Sequence, residues 1–345
     1  MPYFDHIGNR SRIRPGFTVV ELLVAIAIAG LLISLLLPAL QTSRERANSA
    51  RCAQNLRQIG IACQNFESSN KRFPPTDFLH DLDRIQRGDW PLPNAHPVSA
   101  HYVLLPYLDQ ASLYHQFDFA GDVWVLQSDP RTTSKNEDLL RRARIVAFSC
   151  PTDRVSTTDT SYLISDGTSA GGYTSQLSVA SNTALLGFGS NGGTSTAQIV
   201  DGLSNTAAFA ERLVGDKDPS RYTPARDWPY ATTQSIPIRP DDFVDLCSHS
   251  ILPNQPHASY CSSPWLFSAL GSTLYNHILP PNSRIPDCSY QSLYGAGAYS
   301  ARSLHSGGAH VLMADGTVRF SSEQIDIIVW RALGSINGSE SERDP

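Results

Sequence analysis

Charge is scarce in these 345 residues: Asp, Glu, Lys and Arg together make up 17%, against roughly 25% in an ordinary soluble domain. No basic stripe runs through the chain and its formal net charge is −5, which argues against nucleic acid as a partner. The six cysteines show neither a C-x-x-C pair nor Cys/His spacing of zinc type, so no metal motif of that kind is expected. No phosphate-cradling loop of the G-x-x-x-x-G-K type occurs either. The expectation is a chain that is not an enzyme and needs no cofactor. Ser, Thr, Gly and Pro are plentiful, which suits a loop-rich, β-rich exterior domain, and the length allows a substantial core.

What the chain does have is one long apolar run, Phe17 to Leu40, interrupted near its start by a single carboxylate, Glu21. As a helix rising about 1.5 Å per residue it spans about 36 Å, enough to cross a hydrocarbon core of about 30 Å with some tilt. A secretory signal peptide would have a shorter apolar core and a small-residue cleavage site after it. This run is too long, and no A-x-A pattern follows it. A plain signal anchor fits the length but leaves Glu21 unexplained, because a carboxylate within a membrane-length segment is costly and marks a function or a partner. Charge does not choose the orientation: Arg10, Arg12 and Arg14 precede the run, and Arg44, Arg46, Arg51 and Arg57 follow it.

Beyond Pro38, which should kink a helix, the helical pattern resumes. Cys52, Leu56, Ile59, Cys63 and Phe66 recur at spacings of 4, 3, 4 and 3 and form a one-sided apolar stripe suited to core contact. Pro74 and Pro75 end it. The expectation is one helix over roughly 17–68, its second half under a head domain. Cys52 and Cys63, about 16 Å apart along that axis, cannot bridge each other. Cys247, Cys261 and Cys288 lie in one loop-rich stretch and are the favoured source of a disulfide. Residues 102–114 read as a packed helix or turn, with Trp90 before them. Ile145–Phe148 reads as a buried strand, and 162–164 and 184–186 as strand-like runs. Residues 215–240 read as an exposed loop region and 241–286 as an insertion closed by cysteines. His310–Ala314, Asp315-Gly316 and Thr317–Phe320 read as a hairpin, followed by a short helix from 322 to 333.

The start of the chain, a basic leader ending in Gly16 and followed by Phe17-Thr18-Val19-Val20-Glu21 and the apolar run, resembles the type IV prepilin signature. Several inner motifs are similar to one prepilin-like family, DUF1559. They are Asn55–Gly60, Arg72–Pro75, Leu105–Gln110, Cys150–Asp153, Asp201-Gly202-Leu203-Ser204-Asn205-Thr206 with Glu211, and a His, nine intervening residues and then Asp-Gly, here His305 to Asp315-Gly316.

The resemblance implies an α+β fold in which a long, partly transmembrane N-terminal helix packs on a β-rich, antiparallel, pilin-like head. It divides the chain into a leader (1–16), a transmembrane assembly helix (17–40), its continuation (41–75), a head (76–337) with a Cys-containing insertion at about 241–288, and a polar tail (338–345). It implies cleavage by prepilin peptidase after Gly16, N-methylation of Phe17, and assembly through Glu21 with copies of itself or other pseudopilins in a type II secretion-like or type IV pilus-like fibre. Leader in the cytoplasm, single pass through the cytoplasmic membrane and head outside follow from the same resemblance. A membrane-tethered binding or adhesive head that is exported this way without polymerising is the alternative.

Within the head, Asp201, Gly202, Asn205, Glu211, His305, Asp315 and Gly316 read first as turn and cap residues, with Ser204–Thr206 capping the run to Phe209. A calcium-like oxygen site is the weaker alternative, and acid–base catalysis weaker still.

Overall fold

The computed structural model describes residues 19–76, 98–118, 135–153, 155–168, 188, 193–231, 239–250, 256–290 and 295–338. Gly16, Phe17, Trp90, residues 184–186 and most of the tail lie outside them. The chain divides into two compact units, residues 1–47 and 48–345, and helix α1 (Val19–Asn70) contributes to both.

In the first unit every described residue from Val19 to Arg44 is exposed. Leu, Ile, Val and Ala dominate this stretch, and it is long and apolar enough to cross a membrane. Pro38 lies inside the helix without ending it. The Thr42 hydroxyl donates to the Pro38 carbonyl at 3.0 Å.

In the second unit α1 becomes one-sided. Cys52, Leu56, Ile59 and Cys63 are buried, together with Ala53, Asn55, Gly60 and Ala62, while Phe66 is half-buried with its ring edge-on to Tyr107 at 5.7 Å. The helix stops where Lys71 turns left-handed, at φ 62°, and its N–H bonds back to the Glu67 carbonyl. Phe73 then enters the core ahead of the two prolines.

Short helices follow: α2 (Ala100–Leu104), α3 (Ala111–Tyr114) and α4 (Lys135–Arg142). Among the described residues, nine strands build two sheets. The larger has the order β5-β1-β2-β8-β9, with β1 Tyr162–Ser165, β2 Ala207–Glu211, β5 Leu274–Tyr275, β8 Gly308–Met313 and β9 Val318–Ser322. The smaller has the order β4-β3-β6-β7, with β3 Trp228–Ala231, β4 His257–Ala258, β6 Cys288–Tyr290 and β7 Gly297–Ala298. Antiparallel pairing dominates, but the sheets are mixed, because β1 pairs parallel with β5 and β3 parallel with β6. Helix α5 (Pro240–Ser248) and a C-terminal α6 (Ile327–Leu333) complete the head. Leu56 and Ile59 of α1 join Tyr162, Phe209 and Leu312 of the larger sheet in the main core.

Three sequence expectations change at this level, while the clustered cysteines do supply a disulfide as expected. Val146–Phe148 is a short 3₁₀ turn, not a strand. The stretch expected as an exposed loop contains buried β3, whose Trp228 is fully enclosed. Ala207–Glu211 is a central strand, so Ser204–Thr206 caps no helix. Of the three clustered cysteines, Cys247 is bonded to Cys288 while Cys261 remains a buried thiol. A second disulfide joins Cys52 of α1 to Cys150, 98 residues away.

One buried ion network sits just beyond β2 and ahead of β6. Asp287 is flanked by Arg212 and by Arg302, whose Nη2 is 3.0 Å away, and it accepts from Ser300 Oγ at 2.7 Å. Burial alone would raise its pKa, but the two guanidinium charges hold it below the ordinary carboxylate value.

Candidate functional site

Glu21 lies in the first turn of α1. Its flanking side chains Val20 and Leu22 are 69% and 57% exposed, so the carboxylate belongs to a greasy, outward-facing helix surface. Gly16 and Phe17 fall outside the described residues.

The second location is inside the head. Strand β2 pairs antiparallel with β8, Ala210 opposite Val311, and this register sets Glu211 at the end of β2 against His310. Glu211 Oε2 accepts from the His310 backbone N–H at 2.7 Å and lies 3.1 Å from its ring Nδ1. The other oxygen, Oε1, is 3.3 Å from Nε2 of His305, on the turn that leads into β8, an approach without hydrogen-bond alignment. The two imidazoles meet edge to face at 5.2 Å. Glu211 is 2% exposed. Burial pushes its carboxyl upward, and the contacts with the two histidines outweigh that and hold it below its ordinary value.

Helix α1 closes the cluster. His305 Nε2 is 3.8 Å from Cys150 Sγ, and His310 Nε2 is 3.4 Å from the Ser49 hydroxyl. Cys52 and Cys150 are buried beside them, and the Cys52 carbonyl accepts from the Tyr162 hydroxyl at 3.2 Å. Chemically this is a carboxylate held between two imidazoles against a disulfide, tying β2, β8 and the 150 loop to the helix.

The two ends of the His-to-Asp-Gly motif both face α1. At one end His305 meets the disulfide. At the other, Asp315 Oδ1 accepts from the Thr317 N–H at 2.9 Å, closing the hairpin, and Gly316 takes a left-handed φ of 86°. That turn approaches Gly60 so closely that a Cβ there would lie 2.7 Å from Leu312 Cδ1 and 3.4 Å from the Gly316 Cα. Gln64 Nε2 donates to the Ala314 carbonyl at 2.6 Å.

Asp201, Gly202 and Asn205 stand apart from Glu211. Asp201 Oδ2 accepts from Ser335 Oγ and from the Gly338 N–H, and Asn205 donates to the Asp201 carbonyl. The Asp315 N–H bonds to the Leu203 carbonyl at 3.1 Å, so this loop buttresses the hairpin turn. Sequence reasoning gave no site role to Cys52, Cys150, Gly60 or His310, although Gly60 and Cys150 sit in motifs that carry the family resemblance. Cys52 read only as part of the core stripe, and nothing local pairs it with Cys150. Two glycine runs, 167–171 and 187–192, spell by letter the hydrolase-elbow and dinucleotide patterns. They lie largely outside the described residues and enter no site described above.

A long apolar N-terminal helix joined to an α+β head defines a prepilin-like protein. Residues 41–327 match the family described as "Protein of unknown function (DUF1559)", and the chain belongs to it. Residues 12–37 match the prokaryotic N-terminal methylation motif. The chain is 32% identical over 74 residues to the type II secretion system core protein G of Pectobacterium carotovorum subsp. carotovorum, covering 21% of this chain and 46% of that protein. It is 31% identical over 68 residues to its namesake in Aeromonas hydrophila, covering 20% and 48%. The chain thus spans about half the length of these curated relatives. No solved structure matches.

Proposed function

We propose that this protein is a structural pseudopilin-like subunit or accessory of a type II secretion-like or type IV pilus-like assembly, not an enzyme. In this reading prepilin peptidase removes residues 1–16, Phe17 becomes the N-methylated end, the leader side faces the cytoplasm and the head lies outside the cytoplasmic membrane. The observation that carries it is the outward-facing apolar half of α1 with Glu21 in its first turn, in a chain that bears the methylation motif over 12–37.

The physical role of Glu21 follows from its surroundings. A carboxylate in hydrocarbon costs several kcal/mol unless a cation meets it. The new amine of Phe17 on an adjacent copy supplies that cation, and their pairing favours staggered helix packing over isolated chains. Glu21→Ala should insert into the membrane normally yet fail to enter fibres. Wild-type incorporation of that variant, measured by shearing and immunoblotting, would refute the role. Gly16 replaced by a bulkier residue should leave the leader attached, seen as an unshifted band and as an N-terminus that is not methylated Phe.

A second reading, a tethered binding head that does not polymerise, draws on a cavity of about 330 Å³ lined by Ile145, Phe148, Thr157, Asp159 and Trp265. The two readings differ in whether copies meet through α1.

A further inference from the structure

The cluster beneath α1 has a second chemical state. Cys52 Sγ, Cys150 Sγ, His305 Nε2 and one Glu211 carboxylate oxygen all lie within 4.8 Å of one another, and all four residues are buried. We propose that, with its disulfide reduced, this cluster is a closed binding site for one divalent cation of zinc type, with the Cys52 and Cys150 thiolates, His305 Nε2 and Glu211 Oε1 as the four ligands.

Three observations carry the assignment. The donor set of two sulfurs, one imidazole and one carboxylate is the mixture that tetrahedral zinc accepts. The spacing already fits along two edges. With metal–ligand bonds of about 2.0–2.3 Å, a tetrahedral site separates nitrogen from oxygen by about 3.3 Å and nitrogen from sulfur by about 3.6 Å. Here His305 Nε2 stands 3.3 Å from Glu211 Oε1 and 3.8 Å from Cys150 Sγ. The edge between the sulfurs must open, and reduction removes the bond that keeps it shut; the remaining edges all lie within 4.8 Å. Finally, Glu211 Oε1 is enclosed and its contact with His305 Nε2 lacks hydrogen-bond alignment, a need that a cation would satisfy. Glu211 Oε2 stays on the His310 N–H and ring, orienting the ligand from outside the coordination shell. The four ligands come from α1, the 150 loop, the end of β2 and the turn before β8, so no local spacing announces them.

The conversion is balanced. A phosphine donates two electrons to the disulfide and takes an oxygen from water to become its oxide, leaving two thiols, and cation binding then releases the two thiol protons to solvent. A dithiol donor reaches the same state by exchange, leaving with its own disulfide. Either state fastens α1 to the head: the oxidised one through two residues, the metal-bound one through four.

The test uses the full chain in detergent, stripped with a chelator and divided into oxidised and phosphine-reduced samples, each titrated with Zn²⁺ alone and separately with Co²⁺. The reduced protein should retain one ion per chain through gel filtration and give a thiolate-to-cobalt charge-transfer band, while the oxidised protein binds at least tenfold more weakly and gives none. His305→Ala should weaken Zn²⁺ binding at least tenfold. His310→Ala, outside the shell, should weaken it about tenfold or more. Replacing the free cysteines, Cys63→Ser with Cys261→Ser, should leave stoichiometry and band intact. Reduced wild-type protein that retains no ion, a band that follows Cys63 or Cys261, or His305→Ala binding unchanged would each overturn the proposal. A reduced, metal-free His305→Ala sample that melts like reduced, metal-free wild type shows that a binding loss is not a folding loss.

Discussion

His277 shows how a single buried residue sets a pH response. Its Nδ1 lies 2.9 Å from the Trp330 carbonyl, so it carries the proton, and Nε2 takes the Tyr275 hydroxyl at 3.0 Å. Burial drives its pKa down from 6.5 to about 3, and burial drives His101 down to about 4. The unfolded chain takes up these protons below about pH 6.5 while the folded chain refuses them, so stability must fall as pH drops from 6.5 towards 4. Glu211 and Asp287, whose pKa values are depressed, add a second loss below their ordinary carboxylate values. His277→Gln should flatten the upper part of this profile, by up to about 1.4 kcal/mol per pH unit, in denaturant melts between pH 7 and 4. A slope unchanged from the wild type would contradict the assignment.

Among the elements, α1 and the terminal hairpin meet without room for a side chain at Gly60. Gly60 admits the Asp315-Gly316 turn because it has no side chain. Gly60→Val should therefore cost about 1–3 kcal/mol by overpacking, and Gly316→Ala about 1–2 kcal/mol because its φ is left-handed. Chemical denaturation of the two variants measures both, and wild-type stability for Gly60→Val would mean the hairpin seats elsewhere. The Cys52–Cys150 bond reinforces the same contact from the other end of the motif. Its loss through Cys150→Ala should lower stability by about 2–5 kcal/mol, read as a shifted denaturation midpoint in oxidising buffer.

For the molecule as a whole, the membrane segment and the head use the same helix for different ends. The exposed half of α1 offers lipid-facing surface and Glu21; the buried half is a wall of the head's core. A photo-crosslinking side chain at position 20, which leaves Glu21 in place, should capture residues near position 17 of another copy in assembled material, and capture only lipid in a tethered monomer. Crosslinks confined to lipid in cells with intact fibres would favour the second reading of function.

The sequence alone determined what depends on neighbours along the chain: the apolar run and its carboxylate, the stripe of Cys52, Leu56, Ile59 and Cys63, the Asp-Gly hairpin and the helix stop before Pro74. Each rests on periodicity or turn chemistry that operates over a few residues. Only the tertiary structure decided that Val146–Phe148 turns instead of extending, that Ala207–Glu211 is a central strand, that the sheets admit parallel pairs, and that Cys52 meets Cys150 beside Glu211 and His305. Those outcomes depend on which distant segments come together in the core. Sheet neighbours and buried charge partners separated by about a hundred residues leave no local pattern to read.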